Sequence, residues 1–269
     1  MKIATLFLSL SVLAPAALAG DTRPAVLQGV GIDQRLNDPV PLDLMFRDEA
    51  GHAIKLGSYF TDKPVILALV YYECPMLCTL TLNGLVRAMR ALPFDAGAQY
   101  DVVTVSFNPR ETWPQAAAKK KTYLAEYAHP GGESGWHFLT GDEPAIRQLT
   151  HAVGFHYHYD PQSGQYAHAT GLVILTPQGR ISRYFYGVEF SPRDLRLALV
   201  EASANRIGSL VDAVLLFCFH YDPATGKYGL LIMRVVRLAG AATVLILGMF
   251  MAVMLWREKQ ARLPRAEAE

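Results

Sequence analysis

The chain has 269 residues, half of them hydrophobic, and carries 25 Lys and Arg against 24 Asp and Glu for a formal charge of +1. So even a balance excludes an electrostatic case for nucleic-acid binding. Three cysteines are too few to frame a disulfide-stapled fold.

Residues 1–19 combine Lys2, an apolar run and Ala17-Leu18-Ala19 before Gly20, the pattern of a secretory signal with a small-x-small cleavage site. The segment that follows predicts short strands at Pro41 to Phe46 and Ile54 to Leu56, around a turn at Asp48-Glu49-Ala50-Gly51. Next comes the β-branched and aliphatic run Val65-Ile66-Leu67-Ala68-Leu69-Val70, which reads as a strand buried on both faces. It ends in Cys74-Pro75-Met76-Leu77-Cys78. Proline suits the first helical position, and Cys78, Leu82, Leu85 and Met89 then share one helical face up to about Leu92-Pro93. Both thiols are therefore expected at the positive end of a helix, on one turn, where the thiolate is favoured. Such a pair suits a disulfide or a soft metal ion.

Asp101 to Phe107 predicts a second buried strand and Asn108-Pro109-Arg110-Glu111 a loop. Thr112 and Gln115 have capping-box spacing and open a helix to about Ala128. Lys119-Lys120-Lys121 reads as its solvated face. Trp136 to Leu139 is a short strand, Pro144 to Val153 a helix stopped by Gly154, Phe155 to Tyr159 a strand, and Asp160 to Gly164 the start of a long turn. Gly171 to Leu175 and Ile181 to Tyr186 pair as a hairpin, and Ser191-Pro192 caps a last helix. The order β-α-β-α-β-α-β-β-α predicts an α/β sandwich on a central sheet, filling residues 20–206. His158-Tyr159-Asp160-Pro161 is echoed by His220-Tyr221-Asp222-Pro223, each followed by a Gly and then a Tyr; reuse of a good turn accounts for the echo.

Residues 207–229 form a juxtamembrane segment and 230–256 a transmembrane helix, of which 238–256 carry no charge and suffice for about 30 Å of hydrocarbon. Arg257, Lys259, Arg262 and Arg265 in the tail 257–269 place that tail in the cytoplasm and the domain on the far side.

Of the eight histidines, His52, His129 and His137 are expected at the surface, His151 on a helix, and His156 and His158 along a solvated strand edge. His168, just before the apolar strand at Gly171, is the one whose junction can approach the start of the cysteine helix. An imidazole added to two thiolates makes a three-coordinate site able to hold either copper oxidation state. Cys218 and His220 alternate in an extended stretch above the membrane, and read either as a second soft-metal pair or as a free thiol beside a surface histidine.

The chain resembles the SCO/SenC copper-chaperone family through Tyr71-Tyr72-x-Cys74-Pro75-x-x-Cys78, Asn108-Pro109-Arg110-Glu111-Thr112, Trp136-His137-Phe138-Leu139-Thr140-Gly141 and His168. The resemblance spans about 29–204. It implies a thioredoxin-like fold, one copper held by Cys74, Cys78 and His168, and delivery of that copper to a respiratory cytochrome c oxidase under assembly. It also implies an upstream copper donor or thiol reductant, and a periplasmic domain tethered to a bacterial inner membrane. Two departures stand out. Ala167 replaces an Asp that often precedes the histidine and would orient its ring, and Thr79 replaces a proline. The anchor also trails the domain, where many members carry it in front. A thiol-disulfide oxidoreductase that keeps the oxidase's cysteines reduced would need only Cys74 and Cys78; a peroxidase would want a lone activated cysteine with an arginine beside it, which Cys74-Pro75-Met76-Leu77-Cys78 does not offer.

Overall fold

The computed structural model describes residues 29–207, 221–222, 227–228 and 230–261. Short strands β1 (Gly31–Ile32), β2 (Met45–Arg47) and β3 (Ala53–Lys55) lead into β4 (Val65–Val70). Helix α1 (Leu77–Arg90), β5 (Asp101–Ser106), α2 (Trp113–Tyr127), the single turn α3 (Gly132–Gly135) and β6 (Trp136–Leu139) follow. Then come α4 (Glu143–Ala152), β7 (Phe155–Asp160), β8 (Gln165–His168), β9 (Gly171–Leu175), β10 (Ile181–Tyr186) and α5 (Pro192–Ser203).

The central sheet runs β10-β9-β4-β5-β6. β4, β5 and β6 are parallel, while β9 is antiparallel to β4 and β10 to β9. Every residue of β4 and β5 is buried, as continuous apolar strands covered on both faces must be. Cys78, Leu82, Leu85 and Met89 form the buried face of α1. Around α2 the capping box closes, with the Gln115 side-chain oxygen accepting from the Thr112 N–H at 2.6 Å. Left-handed Ala128 (φ +52°) ends that helix. The Ser191 hydroxyl accepts from the Asp194 N–H at 3.4 Å to open α5. The mixed α/β sandwich expected from the element order is therefore present.

Four expectations are corrected. The segment from Phe155 leaves the central sheet: β7 pairs with β1 and β8 in a separate three-stranded sheet. Residues 165–168, expected as turn, extend as β8, because the Asp160–Gly164 turn folds them back onto β7 with Tyr159 opposite Tyr166 and Tyr157 opposite His168. α1 starts at Leu77, beyond Pro75, because Met76 (φ −145°, ψ −71°) stands outside helical geometry; ahead of it Tyr72 and Glu73 donate to the Glu111 carboxylate and Cys74 to the Tyr71 carbonyl. Lys120, in the middle of the supposed solvated face, is buried, its ammonium paired with Glu49 and hydrogen-bonded to the Glu133 carbonyl.

Helix α6 (Leu230–Ala261) contains 240–258, a stretch long and apolar enough to cross a membrane by length and composition. Before it, β11 (Tyr221–Asp222) and β12 (Lys227–Tyr228) pair in the same relation as β7 and β8: Tyr221 faces Tyr228 as Tyr159 faces Tyr166. The echoed sequence thus carries the same antiparallel pairing in both places. The signal segment 1–19, the Cys218 and His220 pair and the end of the tail lie outside the described residues.

Candidate metal centre

Three elements deliver one donor each. The loop leaving β4 carries Cys74, the second residue of α1 is Cys78, and the last residue of β8 is His168. Sequence places the histidine 90 residues beyond Cys78, yet its Nε2 lies 3.5 Å from the Cys78 sulfur. The two sulfurs and the imidazole nitrogen all fall within 4.8 Å of one another, and all three residues are buried. This is the one cluster of three or more metal-capable side chains among the described residues.

Local hydrogen bonds prepare each donor. Cys74 lies just ahead of α1, and its sulfur accepts the Cys78 N–H at 3.3 Å, in the manner of a side chain capping a helix start. The Tyr71 N–H donates to the Cys78 sulfur, also at 3.3 Å. A hydrogen bond from the Cys78 thiol pulls the Cys74 thiol far below its usual range; His168 and the N–H groups of Cys78 and Met76 add to this, and burial opposes it. Burial pushes the Cys78 thiol well up, reinforced by the negative Cys74 sulfur. Within the pair, these opposite shifts favour ionisation at Cys74 ahead of Cys78.

The orientation of the His168 ring is fixed by its neighbour. Nδ1 lies 2.7 Å from the Ala169 carbonyl, which can only accept, so Nδ1 carries a proton and Nε2 is the nitrogen turned to the sulfurs. The backbone thereby supplies the orienting acceptor that an Asp at Ala167 would have given. Tyr71 and Phe107 pack against the ring at 5.8 and 5.2 Å between centroids and hold it in place.

The other histidines among the described residues stay apart from this cluster. His156 pairs with Asp33 at 2.8 Å and His129 with Asp95 at 3.3 Å; His52 and His151 are exposed. His137, expected at the surface, is half-buried against the Tyr59 ring at 4.2 Å, and burial lowers its pKa.

Two contributors escaped the sequence reading. Ala169 acts through its carbonyl, which no side-chain pattern reveals. Glu111 is buried although it lies in a loop, and burial lifts its carboxyl above the usual range although three donors pull it back. An acid between an apolar strand and a capping box was the available signal for it.

A cleft of about 360 Å³ opens beside the site, between Glu73 and Pro75 on one side and Tyr159 and Tyr166 on the other, with Arg110 stacked 4.8 Å over the Tyr159 ring.

Chemically, two sulfurs and one neutral imidazole make a soft, nitrogen- and sulfur-only donor set, suited to copper or zinc and not to magnesium or calcium. The same two sulfurs are also close enough to join as a disulfide after a small movement.

No curated protein is similar enough to count as a match. Among solved structures, the chain is similar to a candidate electron transfer protein from Aquifex aeolicus VF5, at 24% identity over 64% of this chain and 96% of that one, with a TM-score of 0.55; this likeness shows the shared fold. It is also similar to ScoI of Arabidopsis thaliana with copper bound (19% identity, 64% and 99% covered, TM-score 0.49). A third is BsSco, described as a member of the Sco family of cytochrome c oxidase assembly proteins (18% identity, 64% and 98% covered, TM-score 0.48). The model of the SCO1/SenC family matches residues 38–202, a stretch that runs from ahead of β2 into α5 and contains Cys74, Cys78 and His168. The chain, matched by that model over more than half its length, belongs to the SCO1/SenC family.

Proposed function

We propose that this chain is a membrane-tethered copper carrier serving the assembly of a respiratory oxidase. The convergence of Cys74, Cys78 and His168 within 4.8 Å carries the reading. The ion is copper: the donor set fits it, and the family includes members solved with copper bound. Zinc, the other ion at home with thiolates and imidazole, is the competitor that binding experiments must include.

Handover follows from the architecture. A three-coordinate ion would have room for one more ligand, so an incoming thiolate or imidazole can bind before a resident ligand leaves. Cys74, on a loop and already ionised, is the donor that moves most readily; Cys78 and His168 are set in a helix and a sheet. The recipient is a copper-binding subunit of cytochrome c oxidase, and tethering through α6 beside such a client raises the effective concentration of the donor. With the signal removed, the domain faces the periplasm and the tail the cytoplasm.

Copper titration of the full chain in detergent tests the assignment. One equivalent of Cu(I) is expected, in preference to zinc, and Cys74→Ser, Cys78→Ser or His168→Ala should each weaken it by at least tenfold. Binding of zinc alone, or copper binding indifferent to all three changes, would sink the reading.

A second reading is favoured by the ionised Cys74 next to a protonated Cys78, the arrangement of a dithiol reductant. In that role the chain would keep client cysteines reduced. His168→Ala separates the two: loss of copper with disulfide exchange intact supports the carrier, whereas copper delivery unaffected by the change supports the reductant.

A further inference from the structure

The donors Cys78 and His168 are anchored by regular structure, but Cys74 sits in the loop between β4 and α1, and something else must hold it. The backbone just before it is gripped from the β5–α2 loop. Glu111 Oε2 accepts the Tyr72 N–H at 2.7 Å, and Oε1 accepts the Glu73 N–H at 2.8 Å. The Ser106 hydroxyl donates to the same Oε2 at 2.5 Å. Glu111 is 4% exposed and forms no ion pair among the described residues. A buried, uncompensated carboxylate is costly, and three charge-assisted hydrogen bonds are what offset that cost. A second grip lies outside the first: the Gln115 carboxamide, whose oxygen closes the α2 capping box, donates from Nε2 to Glu73 Oε1 at 2.8 Å. Within the Glu111-Thr112-x-x-Gln115 stretch, Glu111 thus holds two consecutive peptide N–H groups leading into Cys74 and Gln115 holds the Glu73 side chain.

We propose that Glu111 is a positioning residue: by clamping the N–H groups of Tyr72 and Glu73 it sets the Cys74 sulfur at the distance from Cys78 and His168 that the site requires. The inference deepens the copper reading, but it concerns the placement of a sulfur and can be read without metal. Glutamine at 111 would keep the shape and lose the function of the clamp. Its single oxygen can accept one of the two N–H groups, while its amide nitrogen is itself a donor and faces the other. Cys74 would then be held from one side only, and the probability of finding its sulfur beside that of Cys78 would fall.

The test compares Glu111→Gln with wild type in the full chain in detergent, by two readouts. Without metal, the equilibrium between the dithiol and the Cys74–Cys78 disulfide is measured against a glutathione redox buffer; the disulfide should be disfavoured by about tenfold, because the effective concentration of one sulfur at the other has dropped. With Cu(II) added, the sulfur-to-copper charge-transfer band should move and affinity fall by about 10–100-fold, as for other loss of ligand support. Lys63→Met is the control, since it breaks a pair with Asp101 at the far end of β4 and β5. It should lower the unfolding midpoint while leaving band, affinity and disulfide equilibrium unchanged. If Glu111→Gln behaves like that control, Glu111 is only structural and the proposal falls. Should Glu111→Gln not fold, Glu111→Asp decides: one methylene shorter, it reaches only one N–H and should give intermediate shifts, and wild-type values would overturn the proposal. If wild type binds no copper, the carrier reading fails by itself, and the metal-free equilibrium still decides the role of Glu111.

Discussion

Asymmetry between two chemically identical residues is the main feature of the site. Cys74 is stabilised as thiolate by the Cys78 thiol, and Cys78 is kept protonated by burial. A metal that takes both as thiolates must displace the Cys78 proton. Copper binding near neutral pH should therefore release about one proton per ion, and apparent affinity should rise about tenfold per pH unit. Calorimetry in buffers of differing ionisation enthalpy checks this; zero protons released would mean that Cys78 is not a thiolate ligand. His137 offers an independent pH test. Burial depresses its pKa below the ordinary 6.5. As pH falls below about 6.5, the unfolded chain takes up a proton that the folded chain resists, so stability declines through that window. His137→Phe, which keeps the stack on Tyr59, should flatten this part of the pH dependence in thermal melts between pH 7.5 and 5.5.

Elements, more than single contacts, set how the site is framed. Helix α1 brings Cys78 to the loop only because it packs closely on the segment between β10 and α5, and Gly84 makes that approach. A Cβ at 84 would lie 1.9 Å from the Val188 carbonyl oxygen, so neither partner could stay where it is. Gly84→Ala should cost about 1–3 kcal/mol or more through overpacking, read as a lower urea midpoint. The hairpin of β7 and β8 does the corresponding work for His168, whose position at its end is set by pairing with Tyr157. That the hairpin of β11 and β12 repeats the register, with Tyr221 across from Tyr228, shows a local sequence pattern specifying a local structure in two places.

At the scale of the whole molecule, a family domain over 38–202 is followed by α6, whose stretch 240–258 is long and apolar enough to cross a membrane, and the tether proposed above rests on that stretch. Truncation ahead of residue 230 is expected to move the chain from the membrane fraction to the soluble one; retention at the membrane would show that a second segment anchors it. Much of the fold was already written in short patterns. The unbroken apolar run of β4, the valine-rich β5, the Thr112 and Gln115 box, the Ser191 cap and the face of Cys78, Leu82, Leu85 and Met89 each depend on residues a few positions apart. Such patterns act through backbone periodicity and end-group hydrogen bonds, so a linear text contains them. The same text marked Cys74, Cys78 and His168 as candidates, the last of them from its place before the Gly171 strand, with a family resemblance in support. What it did not contain was the geometry of the expected approach of His168 to the sulfurs across 90 residues, the Ala169 carbonyl that fixes its ring, the departure of β7 from the central sheet, and the buried grip of Glu111. Those depend on which surfaces meet once the sheet has closed, and a contact between distant segments is decided by the packing of everything between them.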